Sequence, residues 1–327
     1  MKGRNRSGSK SNEPAALSPA IGVDIGGTKL LAVRLESGQI TDELKTTKPD
    51  NGAQMVDAII AAYSRLAAGH NVAALGVGVA GLVDFETGTF VWGPHVDGVN
   101  IAVRDELEAA LNHPVAVDND ANTTALAEHR AGAGQGSAAM LMVTLGTGIG
   151  GSMVIDGSLY RGRGFAGEFG HARFARGEYV CDCGQSGCWE TEAAGPALER
   201  LARELILDDP NGSLATVLEG QPNGPEISEA AIAGDPQAIA LISQVGRNFG
   251  HGLASLITMF DPDRVVVGGG LGSIGDVLLD PIRISANEAR YAADYKELPD
   301  IVGAQLGEHA GAVGAALLGL EETNGNE

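Results

Sequence analysis

Two segments of this chain set a glycine-rich turn between runs of apolar, largely β-branched residues, and that repetition limits the fold more than any other feature. In residues 21–35, IGVDI and LLAVRL flank Gly26, Gly27 and Thr28. Residues 140–155 read MLMVTLGTGIGGSMVI. Each reads as two strands reversing through a tight turn. One such unit in each half of a 327-residue chain points to a duplicated α/β architecture. That length suits about two domains at roughly 100–200 residues each. Glycine is the unusual component, 48 residues against a typical ~7%. The glycines cluster between apolar runs with no Gly-X-Y period, which excludes collagen.

Between and after these units, helical and strand patterns alternate. Residues 54–66 read as a helix, AALGVGVA as a strand, and a short hairpin is expected around Glu86, Thr87 and Gly88. A helix over 103–111 precedes the strand PVAVDND, and 120–130 again looks helical. A polar loop over 161–188 leads to a helix over 197–207. Residues 208–228 carry prolines, glycines and acids and read as a surface excursion. A long helix over 236–259 ends at Asp261 and Pro262, the strand RVVV runs into Gly268, Gly269 and Gly270, and a Gly/Ala-rich helix closes the chain. Alternation of this kind suits mixed sheets.

The ends and the charge exclude several functions. Lys plus Arg (22) against Asp plus Glu (42) gives −20, which argues against nucleic-acid or anionic-membrane partners. No 18-residue apolar run occurs, so no membrane span is read. Residues 1–19 are basic and then polar, without the apolar core of a signal peptide, and are expected to form a disordered tail. A cytoplasmic location is the expectation.

Three patterns carry chemistry. Glycines permit positive φ and let backbone N–H groups approach a ligand, so Gly26 and Gly27 with Thr28 and Lys29 suit phosphate oxygens. Asp24 is placed to hold a hydrated Mg2+. The second turn, with Thr144, Gly146, Thr147, Gly148 and Gly150, would grip a triphosphate from the opposite wall, and Gly269 and Gly270 would offer bare backbone to a base and ribose. One such turn alone is equally a hairpin without a ligand; three clusters together favour phosphate. Asp118, Asn119 and Asp120 end a strand and open a helix. They read as an N-cap, as a general base (Asp120) taking the proton of an attacking hydroxyl with Asn119 on a neighbouring hydroxyl, or as both. The helix N-terminus is expected to keep Asp120 ionised. Finally, His171, Cys181, Cys183 and Cys188 form H-x9-C-x-C-x4-C, a closed donor set for structural zinc. Three cysteines in eight residues are no disulfide framework.

These pieces together carry a resemblance. DIGGTK, GVGVAGLVD, DNDANTTALAE, LGTGIGGS, GEFGH, CDCGQSGCWE and FDPDRVVVGGGLG, in that order, resemble the ROK family of sugar kinases and repressors from Val23 nearly to the C-terminus. The resemblance implies an actin-like (ribonuclease H-like) fold of two α/β domains with the active site in the cleft between them. The small domain would span 20–124, with a helix over 313–327 returning to it. The large domain would span 125–312 and carry the zinc loop 171–188. It implies Asp120 as catalytic base, and Gly81, Asn119, Glu168, His171 and Glu190 as sugar-binding residues. The two glycine turns would be ATP phosphate loops. His171 would serve both zinc and sugar.

Within the family the GCWE segment looks most like that of bacterial ATP-dependent glucokinases, and the cysteine cluster favours ATP over polyphosphate. Ala80 stands where many members have proline and His95 where asparagine is common, both on the sugar-side wall. The implied reaction is transfer of phosphate from MgATP to the 6-hydroxyl of glucose, by a homodimer or homotetramer. Kinases for N-acetylmannosamine, N-acetylglucosamine, mannose or fructose are the alternatives. A sugar-responsive repressor would need a DNA-binding segment, and only about twenty polar residues precede the first strand.

Overall fold

The computed structural model describes residues 18–174, 177, 179–218 and 220–325. Residues 1–17 of the expected tail, and 326 and 327 of the expected closing helix, lie outside that set.

The first half contains β1 (Ala20–Ile25), β2 (Lys29–Glu36), β3 (Gln39–Thr47), α1 (Gly52–Ala67), β4 (Ala74–Val79), β5 (Leu82–Asp84), β6 (Thr89–Trp92), α2 (Val103–Leu111), β7 (Val115–Asn119) and α3 (Asp120–Ala131). Then come β8 (Ala139–Leu145), β9 (Ile149–Ile155) and β10 (Ser158–Leu159). The helices α4 (Glu190–Ala193), α5 (Gly195–Asp208), α6 (Ser213–Val217), α7 (Gly224–Ile232) and α8 (Pro236–Phe260) follow. The chain closes with β11 (Arg264–Gly268), α9 (Gly269–Gly272), α10 (Asp276–Ala289), β12 (Asp300–Gly303) and α11 (Ala310–Gly325).

Two five-stranded mixed sheets result, ordered β3-β2-β1-β4-β7 and β10-β9-β8-β11-β12. In each, the first strand in sequence sits at the centre, antiparallel to its hairpin partner and parallel to the next strand. The second sheet therefore repeats the topology of the first, and the repeated turn motif is the surface sign of a repeated fold.

Apolar periodicity decides which face each helix covers. Met55, Ile59 and Leu66 of α1 and Leu107 of α2 pack on Val23, Ile25, Val77 and Val79. The other face of that sheet takes α11, whose AGAVGAALLGL sequence allows close approach. A Cβ at Gly22 would lie 1.9 Å from the Ala312 carbonyl, and one at Gly76 1.8 Å from that of Ala315. On the second sheet, Val245, Phe249 and Leu253 of α8 with Leu278 and Ile282 of α10 cover Leu141, Val143, Val265 and Val267. Helix α3 touches strands of both sheets, so its N-terminus is positioned by the two halves together. No helix among the described residues is long and apolar enough to cross a membrane.

Five elements differ from the sequence expectation. β3, QITDELKTT, is a largely exposed edge strand with little apolar signal. The 208–228 excursion instead holds α6 and the start of α7, which Asn223 caps by accepting from the Glu226 N–H at 3.0 Å. Between the glycine cluster and α11 lie α10, with Pro281 inside it, and the four-residue β12.

Candidate active site

The turn after β1, the β7–α3 junction, the β8–β9 turn and the loop from Arg161 to α4 meet at one end of the central strands. At the β7–α3 junction Asn119 is the N-cap. Its Oδ1 accepts from the backbone N–H groups of Ala121 (2.8 Å) and Asn122 (3.2 Å), and its Nδ2 donates to the Gly81 carbonyl at 2.9 Å. Asn119 thus caps the helix, whose first residue is Asp120. Its pKa is not held low by the helix start. Desolvation outweighs the lowering by the Ala121 N–H, the negative Glu168 adds to the rise, and the carboxyl is pushed up to about 6. At neutral pH the group is still mostly ionised, as expected, and a value this close to neutrality suits a general base.

Asp24, at the end of β1, is pushed up to about 8 by burial and then by the charge of Asp120, partly offset by Lys29. Its Oδ1 is buried without a hydrogen-bond partner among the described residues. An orphaned carboxylate oxygen beside a second carboxylate fits a divalent cation, since a hard oxygen ligand and a positive charge relieve both costs at once.

The glycine turns differ in detail from the sequence reading. None of Gly26, Gly27, Gly146, Gly148 and Gly150 has positive φ. Their value is the absent side chain. A Cβ at Gly146 would meet nothing within 4 Å and one at Gly26 only the Lys29 carbonyl at 4.0 Å, so both leave backbone bare toward open space. Gly27 instead makes room for the His95 ring (3.1 Å), Gly148 for Glu190 (2.7 Å) and Gly150 for Thr144 Oγ1 (2.7 Å). Thr28 and Thr147 are exposed at the turns. Lys29, expected to offer its ammonium to phosphate, is ion-paired to Glu308, which Lys45 also contacts at 2.8 Å. At the third cluster, Gly269 has φ +82° and its Cβ would lie 2.5 Å from the Leu145 carbonyl, so packing against β8 requires that glycine; Gly270 faces open space.

Beside the turns lies a cavity of about 320 Å3. It brings together Gly81, Glu168, His171 and Glu190 with Thr147 and Gly148 of the second turn. His171 Nε2 lies 3.9 Å from Glu168, and its Nδ1 is 3.4 Å from Glu190. Burial raises the Glu168 carboxyl, with His171 opposing and Glu190 adding to the rise. Acceptors clustered around an imidazole edge suit a polyol, whose hydroxyls donate to several carboxylates at once. Trp92, Pro94, His95 and Asp182 also line the cavity. Sequence reasoning did not assign them roles. His95 stood out only as a departure from the family pattern, and Trp92 carried no local signal.

A ring nitrogen of His171 and the sulfurs of Cys181, Cys183 and Cys188 lie within 4.8 Å of one another. Cys183 and Cys188 sulfurs are 3.6 Å apart, and Cys181 Sγ is 3.6 Å from His171 Nδ1. Tetrahedral zinc with Zn–S of about 2.3 Å and Zn–N of about 2.0 Å separates such donors by roughly 3.5–3.8 Å. The donor set fits zinc in identity and number, with two pairs at tetrahedral spacing, while His171 Nε2 lies 3.9 Å from Glu168 in the cavity wall. Glu190 Oε1 lies 2.9 Å from Cys181 Sγ, so this His/Cys cluster adjoins the cavity wall.

Comparison with known proteins agrees with this arrangement. The family model described as "ROK family" matches residues 20–322. The chain is 41% identical to a glucokinase of Streptomyces coelicolor, over 92% of this chain and 97% of that protein. It is 34% identical to a glucokinase of Halalkalibacterium halodurans, over 94% and 96%. Among solved structures, a ROK family glucokinase from Streptomyces griseus in complex with glucose and AMPPNP superposes with a TM-score of 0.85 at 41% identity, covering 92% of this chain and 99% of that one. Over essentially its whole described length, this chain belongs to the ROK family.

Proposed function

We propose that the chain is an ATP-dependent glucokinase, converting glucose and MgATP to glucose 6-phosphate and ADP. The observation that carries this is the position of Asp120. Its carboxyl, pushed up to about 6, feels the charge of Glu168 in the cavity wall and in turn acts on Asp24, which ends β1 just before the bare backbone of Gly26. The named relatives and the glucose- and AMPPNP-bound neighbour support the same choice of substrates.

In this reading Glu168, His171 and Glu190 orient the sugar, and the Asn119 amide holds the Gly81 loop against it. Asp120 accepts the proton of the 6-hydroxyl as its oxygen attacks the γ-phosphorus. The bond from phosphorus to the β–γ bridging oxygen breaks, and ADP leaves with that electron pair. Asp24 would hold Mg2+, which when bound offsets phosphate charge. Thr28 and Thr147 donate to phosphate oxygens. His171, Cys181, Cys183 and Cys188 would hold zinc, which when bound fixes the loop presenting Glu168 and Glu190. The cleft divides residues 20–124, together with α11, from the rest, and closure of the two excludes water as a competing acceptor.

A steady-state panel of hexoses with ATP tests the proposal. Glucose should give the highest specificity constant. A far higher value for N-acetylmannosamine, N-acetylglucosamine, mannose or fructose would overturn the choice of sugar.

A further inference from the structure

Asp120 is flanked two residues on either side by Asp118 and Asn122, and both are drawn into a buried polar relay that the reaction described above does not use. Asp118, 1% exposed, receives the Arg161 Nε on Oδ2 at 2.8 Å. Its Oδ1 accepts from the Asn119 N–H and from Asn122 Nδ2, each at 2.8 Å. Asn122 Oδ1 in turn accepts from the Ser152 hydroxyl at 2.7 Å. The relay therefore ties the β7–α3 junction of the first sheet to β9 of the second and to the chain after β10. Arg161 is itself braced, with its guanidinium 3.7 Å from the centre of the Phe85 ring. Its carbonyl accepts from Gly164 (2.7 Å) and Ala166 (3.2 Å), shaping the first turn of the loop that continues to Glu168 and His171.

We propose that Arg161 is a positioning residue for Asp120: through Asp118 it fixes the direction of the base and couples it to the loop that holds the sugar. A buried ion pair adds little net stability over apolar packing, but breaking one leaves a stranded charge that must reorganise. Here the stranded charge would be Asp118, and the atoms free to move are those on both sides of Asp120. A misplacement of about 1 Å at such a centre costs on the order of a hundredfold in rate. The inference rests on the proposed kinase reading.

The test uses the full chain with Arg161→Met and Arg161→Lys, each also built on Asp120→Asn, with kcat, both KM values and the unfolding temperature measured. Arg161→Met should lower kcat by about thirty- to a hundredfold while the KM for ATP stays within about twofold. Arg161→Lys should recover only part of this, because an ammonium does not reproduce the planar Nε geometry. On Asp120→Asn, Arg161→Met should change the residual turnover by less than about twofold, since the group it orients is gone. An unchanged kcat, or the same fold-loss with and without Asp120, would overturn the inference.

Should Arg161→Met fail to fold, Ser152→Ala reads the other end of the relay. It should lower kcat by about three- to tenfold, again only when Asp120 is present, and an indifferent kcat would overturn the inference equally. A wild-type chain that prefers another hexose overturns the choice of glucose and moves this test to that hexose. One that phosphorylates no hexose overturns both.

Discussion

Gly148 lies in a glycine turn that suggests phosphate binding, yet the structure packs it against Glu190 in the wall of the cavity proposed to take the sugar, and Gly148→Ala separates the two roles. The backbone there is in an ordinary region, so the methyl brings no φ penalty. It would lie 2.7 Å from Glu190 Oε2, with the next contact at 3.7 Å, so that oxygen alone must give way. The same oxygen accepts the Ile149 N–H at 3.2 Å, already a long bond that a shift of half an ångström or so would end. A hydrogen bond to a charged group is worth about 1.5–3 kcal/mol, equivalent to roughly ten- to a hundredfold in affinity. With glucose varied at saturating ATP, kcat/KM for glucose should fall by about that factor. With ATP varied at saturating glucose, the KM for ATP should stay within about threefold. A raised KM for ATP with unchanged glucose kinetics would refute the reasoning and return Gly148 to the phosphate.

The base tuned to about 6 must be ionised to act. Its active form is lost as pH falls through 6, so kcat/KM for glucose should drop about tenfold from pH 7 to pH 5; a flat profile there would count against Asp120. Cys183→Ser should remove about one zinc per chain by metal analysis and weaken glucose binding more than ATP binding. Full metal content with unchanged sugar affinity would contradict the link between that loop and the cavity. Gly76→Ala places a methyl 1.8 Å from the Ala315 carbonyl, against backbone that cannot rotate aside. It should destabilise the fold by about 3 kcal/mol or more, and an unaltered melting temperature would show that α11 is not pressed on that sheet.

Much of the fold was legible because its signals are local. Alternating β-branched runs broken by glycine mark β1 with β2 and β8 with β9, and a cap residue ahead of an apolar stripe marks α1, α3 and α8. β3 went unread because an exposed edge strand has no buried face to impose a pattern. α7 hid in an acidic, proline-containing stretch whose Asn223 and Pro225 are start signals for a helix as well as marks of a loop. The grouping of His171 with the three cysteines was legible for the same local reason, with three of the four in eight residues. What a sequence does not display is desolvation. The rise of Asp120 and Asp24 depends on what α11 and the neighbouring loops exclude from them; Gly311, for instance, lies so close to Asp24 that a Cβ would be 2.6 Å from its carboxyl carbon. Nor does it display the contact of Arg161 with Asp118, 43 residues away. Of the two reasons offered for the turn glycines, positive φ does not apply at Gly26, Gly27, Gly146, Gly148 and Gly150, while the absent Cβ leaves bare backbone at Gly26 and Gly146 and makes room for side chains at the other three.

The account depends on Asp120 removing a proton from a bound sugar, and Asp120→Asn tests that most directly when turnover and glucose affinity are measured on the same preparation. Calorimetry should find glucose binding within a few-fold of the parent chain, while kcat falls by about a hundred- to ten-thousandfold. Turnover close to that of the parent would contradict the claim.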